Sequence, residues 1–227
     1  MTPRAKQNGA ALLAAMLVAT VGAAAVLMSA FGTGGAQRVR EQRALALLAQ
    51  ASDALTGFAA THGRLPRPSS APGDGRERAT PCGGEEDCTG YLPWLDLGLP
   101  ATDSWGRALR YSVTPVFSVA PLARTAAVAT KRVQSRDASG ALFFTVGQDI
   151  CSLPAQCAPA IVFSSGPADA MASSGADEAN NRTASVGFIQ RPPSAELSAP
   201  GGPFDDLLAA VPLQTLYERM AAAKTLP

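Results

Sequence analysis

The chain has 227 residues, of which 47% are hydrophobic and 16% are charged, a smaller charged share than the quarter or so of an ordinary soluble domain. Its 19 basic and 18 acidic residues leave a formal net charge of +1, which gives no electrostatic reason to expect a nucleic acid as partner. The single histidine, His62, excludes a metal site built from several histidines and argues against a serine–histidine–aspartate triad.

Residues 10–32 carry no charged side chain. They are long enough to cross a bilayer as one helix, which needs about 20 apolar residues. A secretory signal has a shorter apolar region of about 7–15 residues, so we predict an anchor that the protein keeps. A buried core helix is the alternative interpretation. Basic residues flank the segment on both sides, so the positive-inside rule alone allows either orientation.

All four cysteines follow this segment, in two C-x5-C pairs: Cys82 with Cys88, and Cys151 with Cys157. Zinc sites usually have cysteines two to four residues apart with further ligands nearby, so zinc or free thiols are the alternative to disulfides. We expect two disulfides, and we prefer these two pairs among the three possible pairings because each loop is short. Disulfides form in oxidising compartments, which places the residues after the span outside the cytoplasm.

The start of the chain, MTPRAKQNG followed by AALLAAMLVATVGAAAVLMSAFG, resembles the signal of type IV pilins and type II secretion pseudopilins. The resemblance implies a leader at residues 1–9 that ends in Gly9, a methylated first mature residue Ala10, and cleavage between them by prepilin peptidase. Most members of the family have a glutamate at the fifth mature position, where this chain has Ala14. That difference favours a minor or initiating subunit over a major filament subunit.

Residues 37–61 have the periodicity of an amphipathic helix, and its apolar stripe consists of Leu45, Leu48, Ala51, Leu55 and Phe58. Pilins have one long helix whose first half spans the membrane and whose second half packs on a β-sheet. The resemblance implies the same division here, with a transmembrane helix at 10–32 and an amphipathic continuation at 33–63. Glycine weakens a helix, so Gly32, Gly34 and Gly35 predict a break or a loose join between the two halves.

His62 and Gly63 are expected to end this helix, because an imidazole can bond the last carbonyl groups and glycine tolerates a positive φ. A catalytic role for His62 has no partner in the sequence. There is no G-x-S-x-G element, and the cysteines are expected to be bridged.

The segment at 103–111 has the pattern D-x-W-G-R-x-x-x-Y, which resembles the D-P-W-G turn of pseudopilins. Its physical chemistry can be stated without the family. Asp103 is expected to accept hydrogen bonds from the amides of a turn, Trp105 to cover the core, and Gly106 to reverse the chain.

Four short runs rich in apolar, β-branched or aromatic residues predict strands, which we expect to form one antiparallel sheet against the helix: residues 109–113, 141–146, 160–164 and 184–189. The polar segment at 166–183 lacks periodicity and is expected to be a solvated loop. A calcium loop is the alternative, with oxygen ligands from Asp169, Asp177, Glu178, Asn180 and Asn181.

The end of the chain predicts a short amphipathic helix, with apolar residues at helical spacing: Leu213, Leu216, Tyr217 and Met220. Asp205 and Asp206 are adjacent. Because adjacent residues of a strand point to opposite faces, we expect them not to act as a pair of carboxylates.

The sequence therefore predicts an α+β, pilin-like protein: a long N-terminal helix on an antiparallel sheet of about four strands, with disulfide-closed loops and a β-rich domain at 64–227. The resemblance implies a single-pass protein of the bacterial inner membrane whose C-terminal domain is periplasmic. It implies a minor pilin or pseudopilin of a type IV pilus or a type II secretion pseudopilus, with an assembly, initiation or tip role. The implied partners are other pilins through the N-terminal helix, prepilin peptidase and the membrane. The alternative is a membrane-anchored binding module or adhesin outside any filament. We expect no enzyme activity, metal, cofactor or nucleic acid.

Overall fold

The structure is a computed structural model that describes residues 7–167 and 175–226, with side chains described at Met16 and from Gly35 onward. These residues form three α-helices and seven β-strands. In chain order they are α1 (Gln7–His62), β1 (Thr89–Tyr91), β2 (Arg110–Val113), β3 (Arg132–Arg136), β4 (Leu142–Val146), β5 (Ala160–Ser164), α2 (Ala176–Thr183), β6 (Gly187–Ile189), β7 (Leu207–Ala210) and α3 (Leu213–Ala222). The chain divides into two compact units, Met1–Gln42 and Arg43–Pro227.

The first unit contains the beginning of α1. The helix continues through Gly32, Gly34 and Gly35, so the predicted break is wrong. Each interior glycine costs only up to about 1 kcal/mol, and every residue added to a nucleated helix contributes a backbone hydrogen bond. The predicted span at 10–32 lies within α1, but its side chains other than the exposed Met16 lie outside the described residues. Over the part of the chain that is described, no helix combines the length and apolarity that crossing a bilayer requires.

The second unit contains the rest of α1, which packs through a face of alanine and leucine. The buried apolar residues of this face are Ala44, Leu47, Leu48, Ala51, Leu55 and Ala59. The predicted stripe is right at its centre and wrong at its ends, because Leu45 is 43% exposed and Phe58 is only half-buried. Alanine has a low hydrophobicity for a core position, so side-chain hydrophobicity alone does not reveal that Ala44, Ala51 and Ala59 belong to this face.

Helix α1 ends as expected, with Gly63 following its last residue, His62. Gly63 has a φ of 69° and donates its N–H to the carbonyl of Ala59 at 2.9 Å. The Nδ1 atom of His62 lies 3.0 Å from the carbonyl oxygen of Phe58, and the imidazole stacks on the Phe58 ring with centroids 3.8 Å apart. The imidazole is therefore engaged by the end of its own helix.

The strands form two sheets instead of the single sheet that was expected. An antiparallel sheet has the order β1-β2-β5-β7, and a second sheet has the order β4-β3-β6, in which β3 and β6 are parallel. Of the four predicted strands, β2 and β5 lie in the first sheet, whereas β4 and β6 lie in the second. The antiparallel sheet of four strands is therefore confirmed, but two of its strands, β1 and β7, were not among those predicted.

Strand β5 lies at the centre of the domain because both of its faces are buried. Ala160 and Val162 belong to a hydrophobic cluster with α1 and α3. Ile161 and Phe163 belong to a second cluster with β3 and β6. Side chains alternate across a strand, so one short strand joins both clusters. The layers of the second unit follow in the order helices, four-stranded sheet, three-stranded sheet.

Helix α3 closes the helical layer. Leu216, Tyr217 and Met220 are buried in the cluster with α1, and Leu213 packs against it. The predicted C-terminal helix and its apolar face are confirmed. Arg219, on the other side of α3, bonds Asp53 of α1 through its Nη2 at 3.0 Å.

Candidate functional site

The segment at 103–107 forms a tight turn held by one buried carboxylate. Asp103 is 7% exposed. Its Oδ1 accepts the N–H groups of Trp105 and Arg107, both at 2.9 Å, and its Oδ2 accepts the hydroxyl of Ser164 at 2.5 Å. Gly106 has a φ of 79°, which glycine adopts without strain. This is the geometry that the sequence pattern predicts, with an added bond to the last residue of β5 that the pattern does not reveal.

Trp105 is partly buried and packs against the cluster around α1. Its indole Nε1 is buried, and among the described residues it has no hydrogen-bond partner. The indole ring therefore contributes to the hydrophobic core through its apolar surface. The same turn reaches toward the polar segment, because the guanidinium of Arg107 donates to the carbonyl of Pro167 at 3.1 Å.

The cysteines pair as expected, Cys82 with Cys88 and Cys151 with Cys157, and none is free. This excludes the interpretation of these cysteines as zinc ligands or thiols. The first disulfide belongs to the hydrophobic core, with Cys82 5% exposed and Cys88 fully buried. The second is closer to the surface, since Cys151 is only half-buried. The two loops have the same length but different surroundings.

The predicted processing residues, Gly9 and Ala10, are part of α1. The side chain of Ala10, residues 1–6 of the leader and the calcium candidate Asp169 lie outside the described residues.

The segment predicted to be a solvated loop instead contains α2, whose buried side chains are Asp177, Glu178 and Asn181. Asp177 is 1% exposed and pairs with two arginines, accepting from Arg136 Nη2 at 2.7 Å and from Arg191 Nε at 2.7 Å. Burial opposes ionisation of Asp177, but the hydrogen bonds from both arginines outweigh it and lower its pKa. The expectation of a solvated loop is therefore wrong for this part of the segment.

Three carboxylates converge between α2 and β7. One oxygen each from Glu178, Asp205 and Asp206 lies within 4.8 Å of the others. The two aspartates precede β7, which begins at Leu207, so the alternation that was expected to separate them does not apply. Among the calcium candidates that the structure describes, Glu178 is the one whose carboxylate belongs to this cluster. Carboxylate oxygens in this arrangement offer ligands that a hard cation such as Ca²⁺ prefers.

This carboxylate cluster is fixed by hydrogen bonds from its neighbours. The amide of Asn181 donates to Asp206 Oδ2 and to the carbonyl of Ile189, each at 2.8 Å, and its oxygen accepts the Ile189 N–H at 2.7 Å. The N–H of Asp205 donates to Glu178 Oε1 at 2.7 Å. Helix α2 and the start of β7 are thus tied together through polar groups.

Burial dominates the electrostatics of the carboxylate cluster. It raises the pKa of Asp206 to about 7, although the hydrogen bond from Asn181 acts in the opposite direction. It also raises the pKa of Glu178. Near neutral pH the cluster therefore exchanges a proton. Beside it lies a cavity of about 480 Å³ whose lining includes Glu178, Asp205, Phe204 and the exposed Leu197.

No protein-family model matches the chain, and neither a curated protein nor a solved structure matches it.

The buried carboxylate of this turn predicts a large cost for Asp103→Ala, because the Trp105 N–H, the Arg107 N–H and the Ser164 hydroxyl would lose their acceptor. Unpaired buried donors cost about 1–3 kcal/mol each, so we expect a loss of about 3 kcal/mol in the free energy of unfolding, measured with urea. Asp137→Ala is the matched control, since Asp137 also accepts the N–H groups two and four residues on but is exposed. An equal loss in both variants would contradict the assignment.

Asp206 predicts a pH-dependent stability. The pKa of an aspartate is about 3.9 in an unfolded chain, so between pH 4 and about 7 the folded state keeps a proton that the unfolded state has lost. The stabilisation is complete below about pH 4 and is lost as the pH rises toward 7. The stability of Asp206→Asn relative to the natural chain should therefore increase with pH, and the gain should reach roughly 2–4 kcal/mol near pH 7. It is measured from urea unfolding at each pH.

The control for this pH series is Asp137→Asn. Hydrogen bonds from Ser139 and from nearby amides lower the pKa of Asp137, so its stabilisation appears as the pH rises and is lost at acidic pH. The Asp137→Asn variant should therefore lose stability relative to the natural chain where the Asp206→Asn variant gains it. Parallel pH profiles for the natural chain and the Asp206→Asn variant would show that the carboxyl group is not protonated in the fold.

Proposed function

We propose that this protein is a minor pilin or pseudopilin: a structural subunit that is anchored in the inner membrane by its N-terminal helix and joins a filament of a type IV pilus or type II secretion system. One observation carries the proposal. A basic leader ending in Gly9 precedes an uncharged stretch, and that stretch lies within a single helix, Gln7–His62, which enters an α+β domain.

Two further features support this proposal. The second half of α1 packs on a four-stranded antiparallel sheet through a face that contains Ala44, Ala51 and Ala59. The D-x-W-G element forms a turn attached to the central strand of that sheet. The order of helix, turn and sheet is the one that the sequence resemblance implies, and the disulfides suit the periplasm.

In this function the protein works by packing. The uncharged segment at 10–32 would lie in lipid before assembly and against the helices of sister subunits afterwards. Ala14 stands where most family members have a glutamate, so this subunit brings no carboxylate to the amine of a neighbouring N-terminus. That favours an assembly, initiation or tip role, where one of those neighbours is missing.

We propose no catalysis for this subunit. Among the described residues, His62 is stacked on Phe58 and lies close to the Thr61 hydroxyl, at 2.7 Å. The four cysteines are bridged. These side chains would be the first candidates for a nucleophile and its base. His62 is instead engaged at the end of α1, and the cysteines are bonded to each other within their loops.

The alternative function is an anchored binding module outside any filament. The cavity of about 480 Å³ beside Glu178 and Asp205 favours it, because a concave site of this size lined by apolar and charged groups is typical of ligand binding.

Processing provides the first test of the pilin function. In cells with active prepilin peptidase, mass spectrometry of the purified chain should find Ala10, methylated, as the first residue. The variant Gly9→Leu should keep the leader, because the resemblance places Gly9 next to the cleaved bond. Asn8→Ala is the control and should be processed normally. A natural chain that retains its leader would contradict the proposed function.

Crosslinking separates the filament subunit from the anchored module. Val39 on α1 is 45% exposed, so a photo-crosslinking residue at this position should capture other pilins in a producing cell. The same probe at Leu197, which is 83% exposed beside the cavity, is the comparison. Capture of pilins at Val39 supports the subunit. If Val39 captures none of them, the anchored module becomes the better explanation.

A further inference from the structure

A lysine lies entirely inside the domain. Lys131, immediately before β3, is 0% exposed, and its Nζ donates to the carboxylate of Glu85 and to the carbonyl of Ser185. Among the described residues, Glu85 is the acidic group paired with it. A buried ammonium without a counter-ion is costly, so the position of Glu85 decides whether Lys131 can stay charged in the interior.

Glu85 is positioned by the first disulfide loop. It lies between Cys82 and Cys88 and directly follows Gly83 and Gly84. Two consecutive glycines give an open loop a large conformational freedom. The N–H of Cys88 donates to the Gly84 carbonyl and the N–H of Thr89 to the Glu86 carbonyl, each at 3.0 Å, and the Thr130 hydroxyl donates to Glu85 Oε1 at 2.5 Å. The buried disulfide is the covalent link that closes this loop, and it adds to these bonds in restricting where Glu85 can be.

The Glu85–Lys131 pair belongs to a ring of hydrogen bonds between the two sheets. The hydroxyl of Thr89 in β1 lies 3.0 Å from the Glu85 carbonyl oxygen and 2.7 Å from the hydroxyl of Ser112 in β2. The Ser112 hydroxyl lies 3.1 Å from the Ser185 carbonyl oxygen, to which Lys131 also donates. Each hydroxyl has one proton, so two of these three hydroxyl contacts are hydrogen bonds at any time. The ring thus joins two strands of the first sheet to the segments that enter β3 and β6.

We propose that the Cys82–Cys88 disulfide is a redox-sensitive lock, which holds Glu85 against Lys131 so that this pair joins the two sheets only in the oxidised protein. When a dithiol such as dithiothreitol reduces the bond, the two sulfurs take up two electrons and two protons and the dithiol closes to a cyclic disulfide. The loop with Gly83 and Gly84 is then free, and Lys131 loses its counter-ion.

The effect on Lys131 follows from its burial. Removal from water lowers the pKa of this lysine, and Glu85 opposes that shift through its charge and its hydrogen bond. Without Glu85 nearby, the ammonium must either lose its proton or reach water. Either change weakens the ring of hydrogen bonds that joins the sheets.

The second disulfide supplies a matched control within the same chain. Its sequence separation is also 6, so the two loops have the same closure entropy. Its loop is additionally held by Gln156, whose Oε1 accepts the Ala129 N–H at 2.7 Å and whose Nε2 donates to the Ala127 carbonyl at 3.0 Å. The second loop borders Lys131 through the backbone pairing of Ala158 with Lys131, but it does not contain Glu85, so reducing this bond should disturb the Glu85–Lys131 pair less than reducing the first.

The test is a thermodynamic cycle on the full-length chain. Each disulfide is removed in turn, as Cys82→Ser/Cys88→Ser or as Cys151→Ser/Cys157→Ser, in the natural background and in a background with Glu85→Gln/Lys131→Met. In the natural background, losing the first disulfide should lower the folding equilibrium constant at least tenfold more than losing the second. The first disulfide is more buried than the second, so part of this excess is independent of the ion pair; in the neutral background the excess should be at least tenfold smaller. An excess of the same size in both backgrounds would overturn the lock.

A second measurement decides the matter if the chain without Cys82–Cys88 does not fold. The oxidised chain is equilibrated with mixtures of reduced and oxidised dithiothreitol, and each disulfide is followed by alkylation and mass spectrometry. Coupling between two sites is reciprocal, so Lys131→Met should make Cys82–Cys88 reducible at an approximately tenfold lower ratio of reduced to oxidised reagent. Cys151–Cys157 should change less. No shift at the first bond, or equal shifts at both, would contradict the proposal.

Discussion

Strand β5 is buried on both faces, and the rest of the domain depends on that constraint. Its neighbours β2 and β7 satisfy both edges, so that Val162 lies opposite Tyr111 on one side and Ala209 on the other. Its alternating side chains supply a helix-facing layer and a layer for the second sheet. The last residue of β5, Ser164, bonds Asp103 and pairs with Leu207. The buried turn and the carboxylate cluster therefore lie at the same end of the central strand.

Around this apolar centre, a few buried charges attach segments that have little hydrophobic surface of their own. Each charge is compensated in a different way. Lys131 is paired with one carboxylate, and Asp177 with two guanidinium groups. Asp206 accepts a bond from Asn181 and takes up a proton near neutral pH. Buried ionic groups stabilise a fold only when they are well partnered. In this domain the partners come from distant parts of the chain, so the charges fix the relative positions of loops and short elements.

The elements that the sequence predicted are those with apolar periodicity or apolar runs: the second half of α1, the strands β2, β4, β5 and β6, and α3. The disulfide pairing and the Asp103 turn follow from local spacing, so they too could be predicted. Helix α2 could not, because its buried face is Asp177, Glu178 and Asn181, and a polar buried face has no hydrophobic pattern. Strand β3 was not predicted for the same reason, because its sequence, RVQSR, contains a single apolar residue. The carboxylate cluster could not be predicted because Glu178 and Asp206 are far apart in the sequence and come together only in the folded domain.

The alanine of α1 has a meaning beyond apolar composition. Ala44, Ala51 and Ala59 lie in the buried cluster that α1 shares with the four-stranded sheet and α3, where each short side chain fills a small volume. A larger residue at such a position would overfill the interface and push the two layers apart. A smaller one, glycine, would make the helix itself less stable. Substitution at these positions is therefore limited by side-chain volume more than by hydrophobicity.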